Sequence, residues 1–248
     1  MAKTQGGKTV YGASVGILML ETQFPRIPGD IGNAMTWPFP VQYRVVRGAT
    51  PDNVVRGAPA ERLADFIAAG RDLVAMGCDG ITTNCGFLGV LQGEMAAALG
   101  VPVATSSLMQ VPMVEAVLPP GKRAGVLTIS AETLGPELRA ATGVAPDTPV
   151  VGTEGGRAFT RDILGDAPEI DFDACRLDLL DAADRLVGGH PEVGAIVLEC
   201  TNMVPYAADI RRATGLPVYS VYTLVSWFQA GLMPRRFARD LDDPRGRD

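Results

Sequence analysis

The sequence predicts an α/β protein built from two similar flavodoxin-like units. Each is a three-layer α/β/α arrangement around a parallel sheet, the two are related by a pseudo-twofold axis, and the site lies in the cleft between them. Three observations predict this. Short apolar runs alternate with longer helical stretches along the 248 residues, as strands and crossover helices do in a parallel sheet. The chain is 47% apolar and 20% charged, enough core for one large α/β domain or two of about 100–120 residues. The order of elements in the first half also recurs in the second.

Taken in order, the apolar run "SVGILML" predicts a strand over 14–20. A proline-rich segment, 21–50, follows it and carries Trp37, Phe39 and Tyr43. A segment that long is usually functional or disordered, and its aromatics predict packing over the cleft; strand 42–46 lies inside it. Helix 59–76 leads to strand 80–83, then helix 88–99, strand 102–105 and helix 109–117. The second round has strand 124–129, helix 132–142, strand 148–151, helix 171–187, strand 195–198, helix 205–214, strand 217–220 and helix 224–230. The expected units are 1–110 plus 217–248, and 111–216.

Two pairs of segments carry the repeat. "GILML" at 16–20 matches "GVLTI" at 125–129. "GITTNCGFLGVLQGEMAAALGVPVATSS" matches "AIVLECTNMVPYAADIRRATGLPVYSVY". Cys85 stands fifteen residues before Gly100, and Cys200 stands fifteen before Gly215. Both read strand, cysteine, helix, Gly-x-Pro-Val strand, the mark of a duplicated unit. Ligands of parallel sheets bind beyond the carboxyl ends of the strands, so the duplication brings Cys85 and Cys200 face to face across one cleft.

Composition narrows the chemistry. A net charge of −6 without a basic run argues against nucleic-acid partners. The apolar run at 15–20 is too short for a membrane span or a signal peptide, so the expectation is a cytoplasmic protein with no membrane partner. Four cysteines (Cys78, Cys85, Cys175, Cys200) and a single histidine, His190, do not make a zinc site, and no metal is expected. Cys78 and Cys175 have no counterparts in the repeat and read as buried hydrophobes. His190 precedes a strand of about six residues that ends at Cys200, which puts it about 20 Å from the thiol. The three lysines, Lys3, Lys8 and Lys122, lie in the N-terminal tail and a turn, which argues against pyridoxal phosphate.

Two thiols facing one carbon suit acid/base chemistry. Each cysteine precedes a predicted helix start, which lowers a thiol pKa. One removes a proton α to a carboxylate as thiolate, and the other delivers a proton as thiol from the opposite face. The enolate-like intermediate needs donors, and Ser106, Ser107, Thr128 and Ser130 at strand ends are candidates, each equally readable as a helix cap. Thr83, Asn84, Gly86, Thr201 and Asn202 surround the thiols. Glu21, Asp30 and Glu199 could pair with an ammonium or a sulfonium, with Tyr43 and its aromatic neighbours beside it, and Glu21 and Asp30 read equally as turn or capping carboxylates.

The pair "TTNCGF" and "LECTNM" on strand-to-helix turns of duplicated halves resembles the aspartate/glutamate/hydantoin racemase superfamily. The resemblance spans 14–232. It implies that Cys85 and Cys200 are two catalytic bases, that no cofactor is used, and that Asn84, Thr201, Ser106 and Thr128 contact a small carboxylate-bearing substrate. Relatives are often dimers, so a homo-oligomer is expected. Asn202 follows Cys-Thr where the glutamate racemases have histidine, which argues against glutamate. "PRIPGDI", "SSLMQVP", "LECTNMVPYAADIRRATGLPV" and the closing "WF" resemble a branch that includes the algal dimethylsulfoniopropionate lyases. The first expectation is racemisation or epimerisation of an acidic amino acid or analogue; the alternative is β-elimination of dimethyl sulfide with acrylate. A decarboxylase is a third option, disfavoured by the second cysteine, and an inert two-lobed binding protein is a fourth.

Overall fold

The computed structural model describes residues 6–237; the charged tail beyond Phe237 and Lys3 lie outside the described residues. Both expected sheets are present. β1 (Val15–Leu20), β2 (Val41–Val46), β3 (Gly80–Thr83) and β4 (Val103–Ala104) form a parallel sheet in the order β2-β1-β3-β4. β5 (Arg123–Thr128), β6 (Val150–Gly152), β7 (Val193–Leu198) and β8 (Val218–Tyr219) form a second in the order β6-β5-β7-β8. The orders correspond strand for strand, and so does the register: Gly16 faces Ile81 and Gly125 faces Ile196. Strands this apolar and buried on both faces are what a parallel sheet covered by helices requires.

Helices α1 (Pro51–Val55), α2 (Leu63–Met76), α3 (Gln92–Leu99) and α4 (Val111–Glu115) belong to the first round. α5 (Pro136–Thr142), α6 (Phe159–Leu164), α7 (Phe172–Gly189), α8 (Ala207–Thr214) and α9 (Val221–Leu232) complete the second. α7 is capped by Asp171, which accepts the N–H groups of Asp173 and Ala174, and α2 ends on Gly77 at φ 115°, a conformation glycine adopts without strain. Apolar residues of β1, α2, β3 and α3 and of β5, β7 and α7 share one continuous buried cluster across both units.

Three features depart from expectation. The strand at 217–220, assigned above to the first unit, pairs with β7 in the second sheet. The chain returns to the first unit one element later, because α9 buries Val221, Leu224, Val225 and Phe228 against Val15, Ile17 and Ala104. Short 3₁₀ turns stand where three α-helices were expected to begin, at Gly86–Leu91, Ser107–Gln110 and Thr201–Tyr206. Finally, Trp37, Phe39 and Tyr43 do not cover the cleft. Trp37 stacks on Phe39 and on Tyr222 of α9, and Trp37 Nε1 and Tyr43 Oη both donate to the carbonyl of Ile31. They fasten the long loop to the first unit.

Two hydroxyls stitch the units together behind the cleft. Ser107 Oγ donates to the carbonyls of Leu198 and Glu199 at 2.6 and 3.0 Å, and Thr201 Oγ1 donates to that of Asn84 at 2.6 Å.

Candidate active site

Cys85 and Cys200 each follow a strand end and each occupy the N-cap of a 3₁₀ turn. Their surroundings correspond across the repeat. Asn84 N–H donates to Leu18 O and Glu199 N–H to Leu127 O, equivalent bonds that bring β3 to β1 and β7 to β5. The two cysteines border one cavity, together with Leu20, Thr22, Phe24, Arg26, Asn84, Gly86, Phe87, Ile129, Glu199 and Asn202. It leaves only about 20 Å³ for the centres of water-sized molecules, room for one or two waters. Val55 and Phe87 also line a wider groove of about 260 Å³ that runs beside α5.

Gly86 lets the two cysteine turns meet. A Cβ at 86 would come within 2.6 Å of the Glu199 carbonyl oxygen and closer still to its carboxylate. The carboxyl group of Glu199 thus reaches from the second unit to the turn that carries Cys85.

The thiols are not poised as thiolates. Burial pushes Cys85 up to about 12, and the charge of Glu199 adds to this. The N–H groups of Phe87 and Leu88 and the guanidinium of Arg26 oppose the rise without overcoming it. Burial, followed by Glu199, likewise holds Cys200 well above the ordinary thiol value, against the N–H of Asn202. The turn-start donors expected to favour thiolate are present, at corresponding positions 87 and 202, but desolvation outweighs them. Cys200 Sγ also lies 3.5 Å from Asn202 Oδ1 as a donor.

Arg26, which the sequence reading did not single out, brings the cation into the cavity. Its guanidinium donates to Asp30 Oδ1 at 2.7 Å and to Thr22 Oγ1 at 3.0 Å and lies over the ring of Phe24. Its side chain is 12% exposed. Asp30 in turn accepts the N–H of Gly32 and the amide of Asn202, so a chain of polar contacts runs from Arg26 through Asp30 and Asn202 to Cys200. The loop crosses to the second unit at Gln23 and Phe24, whose N–H groups reach Asp166 Oδ1. Asp166 holds φ 50°, a left-handed conformation that aspartate tolerates better than most residues.

The remaining expected site residues sort by geometry. Asn84, Gly86 and Asn202 line the cavity, and Asp30 supports it from behind. Thr83 Oγ1 donates to Thr105 O and Cys85 O, and Thr201 serves the unit interface, so neither hydroxyl is directed at the cavity. Ser106 Oγ accepts the N–H of Leu108, Ser107 is consumed at the interface, and Thr128 Oγ1 donates to Glu199 Oε2 at 2.9 Å. Ser107 and Thr128 thus spend their hydroxyl protons inside the protein, and none of the three residues is among those lining the cavity. Tyr43 belongs to the loop base. Glu21 faces outward to the N–H of Gly48 and to Arg47, which lower the pKa of its carboxyl, the Gly48 N–H most. His190 sits at the opposite end of β7, beside Glu192. Cys78 and Cys175 are buried away from the cavity.

No family model matches the chain. It is 27% identical over 229 residues to a dimethylsulfoniopropionate lyase of Durusdinium sp. clade D, covering 89% of this chain and 75% of that protein. It is 31% identical over 231 residues to dimethylsulfoniopropionate lyase 7 of Emiliania huxleyi, covering 89% of this chain and 67% of that protein. Among solved structures, an arylmalonate decarboxylase superposes with a TM-score of 0.54 at 16% identity over 88% of this chain and 92% of that one. Glutamate racemase from Francisella tularensis does so with 0.54 at 12% identity, over 91% and 85%. These superpositions match both parallel sheets and their flanking helices. The chain belongs to the dimethylsulfoniopropionate lyase family, and its fold is the one that these decarboxylase and racemase structures share.

Proposed function

We propose that the chain is a cofactor-independent carbon–sulfur lyase that removes the proton α to a carboxylate and expels a thioether from a β-sulfonium group. The observation that carries this reading is the presence of Cys85, Cys200 and Arg26 on a single cavity; the kinship with the lyases supports the choice of leaving group.

For a sulfonium propionate the steps follow from these residues. Arg26 keeps N–H donors beyond those spent on Asp30 and Thr22 and takes the carboxylate as a charge-assisted pair. Its positive charge steadies the enolate-like carboxylate as the α-proton leaves. The thiolate of Cys85 or Cys200 accepts that proton. The freed electron pair forms the Cα–Cβ double bond, the Cβ–S bond breaks with its electrons going to sulfur, and neutral dimethyl sulfide departs, leaving acrylate. Asn84, Gly86 and Asn202 shape the walls, and Asp30 positions Arg26.

Racemisation is the second reading. It is favoured by the corresponding positions of the two cysteines about the pseudo-twofold axis, since inversion uses one acid/base group on each face. Incubation in D2O with dimethylsulfoniopropionate and a panel of amino acids separates the readings. Dimethyl sulfide in the headspace with acrylate in solution is the expected result. Deuterium at an α-carbon with no sulfide released would replace the lyase reading by racemisation. Neither outcome on any substrate would return the chain to an inert binding protein.

A further inference from the structure

Two buried carboxyl groups stand near the thiols, and only one has a full set of partners. Asp30 is occupied by Arg26, Gly32 N–H and Asn202. Glu199, 1% exposed, uses Oε2 for the hydroxyl of Thr128 at 2.9 Å and for the N–H of Ile129 at 3.5 Å. Its Oε1 has no hydrogen-bond partner among the described residues and lies on the cavity side, against Gly86.

The repeat supplies the comparison. Asn84 occupies the matching position in the first unit, and its Oδ1 accepts the N–H of Leu20 at 2.7 Å, as Glu199 accepts that of Ile129. Leu20 and Ile129 are themselves equivalent. An amide is therefore sufficient to close the strand end, and a carboxyl buried there carries a desolvation cost that an amide avoids. The acid at 199 has a use that its twin at 84 does not.

We propose that Glu199 is the proton reservoir of this site: it takes the proton of the cysteine that becomes the base and passes it to water after the product leaves. The step balances. Cys–SH and Glu199–COO⁻ become Cys–S⁻ and Glu199–COOH with no change in net charge, which suits a cavity too small to solvate a new ion. The thiolate then gains the α-proton, the elimination proceeds, and Glu199–COOH releases one proton to water, matching the proton that the overall reaction sets free. The inference rests on the reading that these thiols move protons.

Among the described residues the titratable groups that line the cavity with Glu199 are Cys85, Cys200 and Arg26, with Asp30 behind Arg26. Burial pushes Glu199 up to about 7, opposed by Thr128 and Ile129 N–H. Above that value the carboxylate is ready to accept a proton; below it the reservoir is already full, and turnover falls.

Two variants and two readouts test the assignment. Glu199→Gln is expected to lower kcat about tenfold or more and to abolish the acid limb of the pH–rate profile. It should also speed alkylation of Cys85 by iodoacetamide several-fold, followed by mass spectrometry, because the charge that raises the thiol is gone. A merely structural role would not slow turnover while making the thiol more reactive. Thr128→Val removes a bond that stabilises the carboxylate, so its acid limb should move to higher pH, and it serves where Glu199→Gln does not fold. Unchanged alkylation with an unchanged limb in Glu199→Gln, or in its absence an unmoved limb in Thr128→Val, would overturn the proposal. Absence of sulfide release by the wild type, with faster alkylation in Glu199→Gln, would overturn the lyase reading while supporting the coupling of Glu199 to Cys85.

Discussion

Replacing Arg26 by Met separates what the guanidinium does for the fold from what it does for the substrate. The pair with Asp30 is 2.7 Å long, with side chains 12% and 5% exposed. Breaking a buried pair by removing one partner costs about 3–5 kcal/mol. Asp30 keeps the N–H of Gly32 and the amide of Asn202, which places the cost at the lower end, about 3 kcal/mol. The contact with Phe24, 4.5 Å from guanidinium carbon to ring centroid, adds about 0.5–1 kcal/mol. For a protein of this size the combined loss, about 3.5–4 kcal/mol, lowers Tm by about 7–16 °C. The double variant Arg26→Met with Asp30→Asn removes the stranded charge and is expected to recover most of the loss, since burying neither charge is often close to neutral. Activity should not recover. Loss of a buried charge partner for the substrate carboxylate costs about 2–5 kcal/mol, roughly 30-fold to several-thousand-fold in kcat/KM, in the single and the double variant alike. Calorimetric melting and headspace assay of dimethyl sulfide read the two effects. A double variant that regained turnover with its stability would refute the assignment of Arg26 as the carboxylate anchor.

Further expectations follow from other contacts. Cys85→Ala and Cys200→Ala should differ in an eliminase: loss of the base cuts turnover by about 10²–10⁴-fold, while the other variant retains measurable sulfide release, whereas equal loss in both favours racemisation. Gly86→Ala forces a methyl group against Glu199, and an overpacked core costs about 1–3 kcal/mol; urea unfolding should show this together with impaired turnover. Thr201→Val leaves the carbonyl of Asn84 without its donor and should cost about 1–3 kcal/mol by the same measurement. Stability should also respond to pH through Glu199. A carboxyl whose folded value is raised to about 7 contributes most below its unfolded value near 4.5 and loses that contribution as pH rises to about 7. Over that window the wild type is expected to lose more stability than Glu199→Gln, and parallel denaturation curves at each pH would contradict it.

The sheets were legible because each strand is an apolar run with turn residues at both ends, and the duplication was legible because cysteine, glycine and proline recur at matched spacing. The helix starts were less so. Gly86–Leu91 and Thr201–Tyr206 are as apolar as helices but tighten into 3₁₀ turns at the junction between the units, which local periodicity does not encode. Placing strand 217–220 failed for a related reason: a two-residue strand carries no mark of which sheet it joins. At the site, both thiols and their amide neighbours could be read from the repeat. The hydroxyls were harder to place because serine and threonine at strand ends satisfy nearby protein groups as readily as ligands. Arg26 was invisible because its place depends on a loop that folds back from its aromatic base and fastens to Asp166 of the other unit.

That fastening has a kinetic consequence. The cavity has room for one or two waters, so a propionate-sized substrate requires it to widen, and the wall formed by Phe24 and Arg26 is the one fastened to the second unit at Asp166. The restraint at Asp166 consists of two hydrogen bonds to a single carboxylate oxygen on the protein surface, together about 1–3 kcal/mol. With that restraint the open form is populated at roughly one to fifteen parts in a hundred. Entry is then slowed by that fraction, and an Asp166→Ala enzyme would capture its substrate faster and hold it for a shorter time.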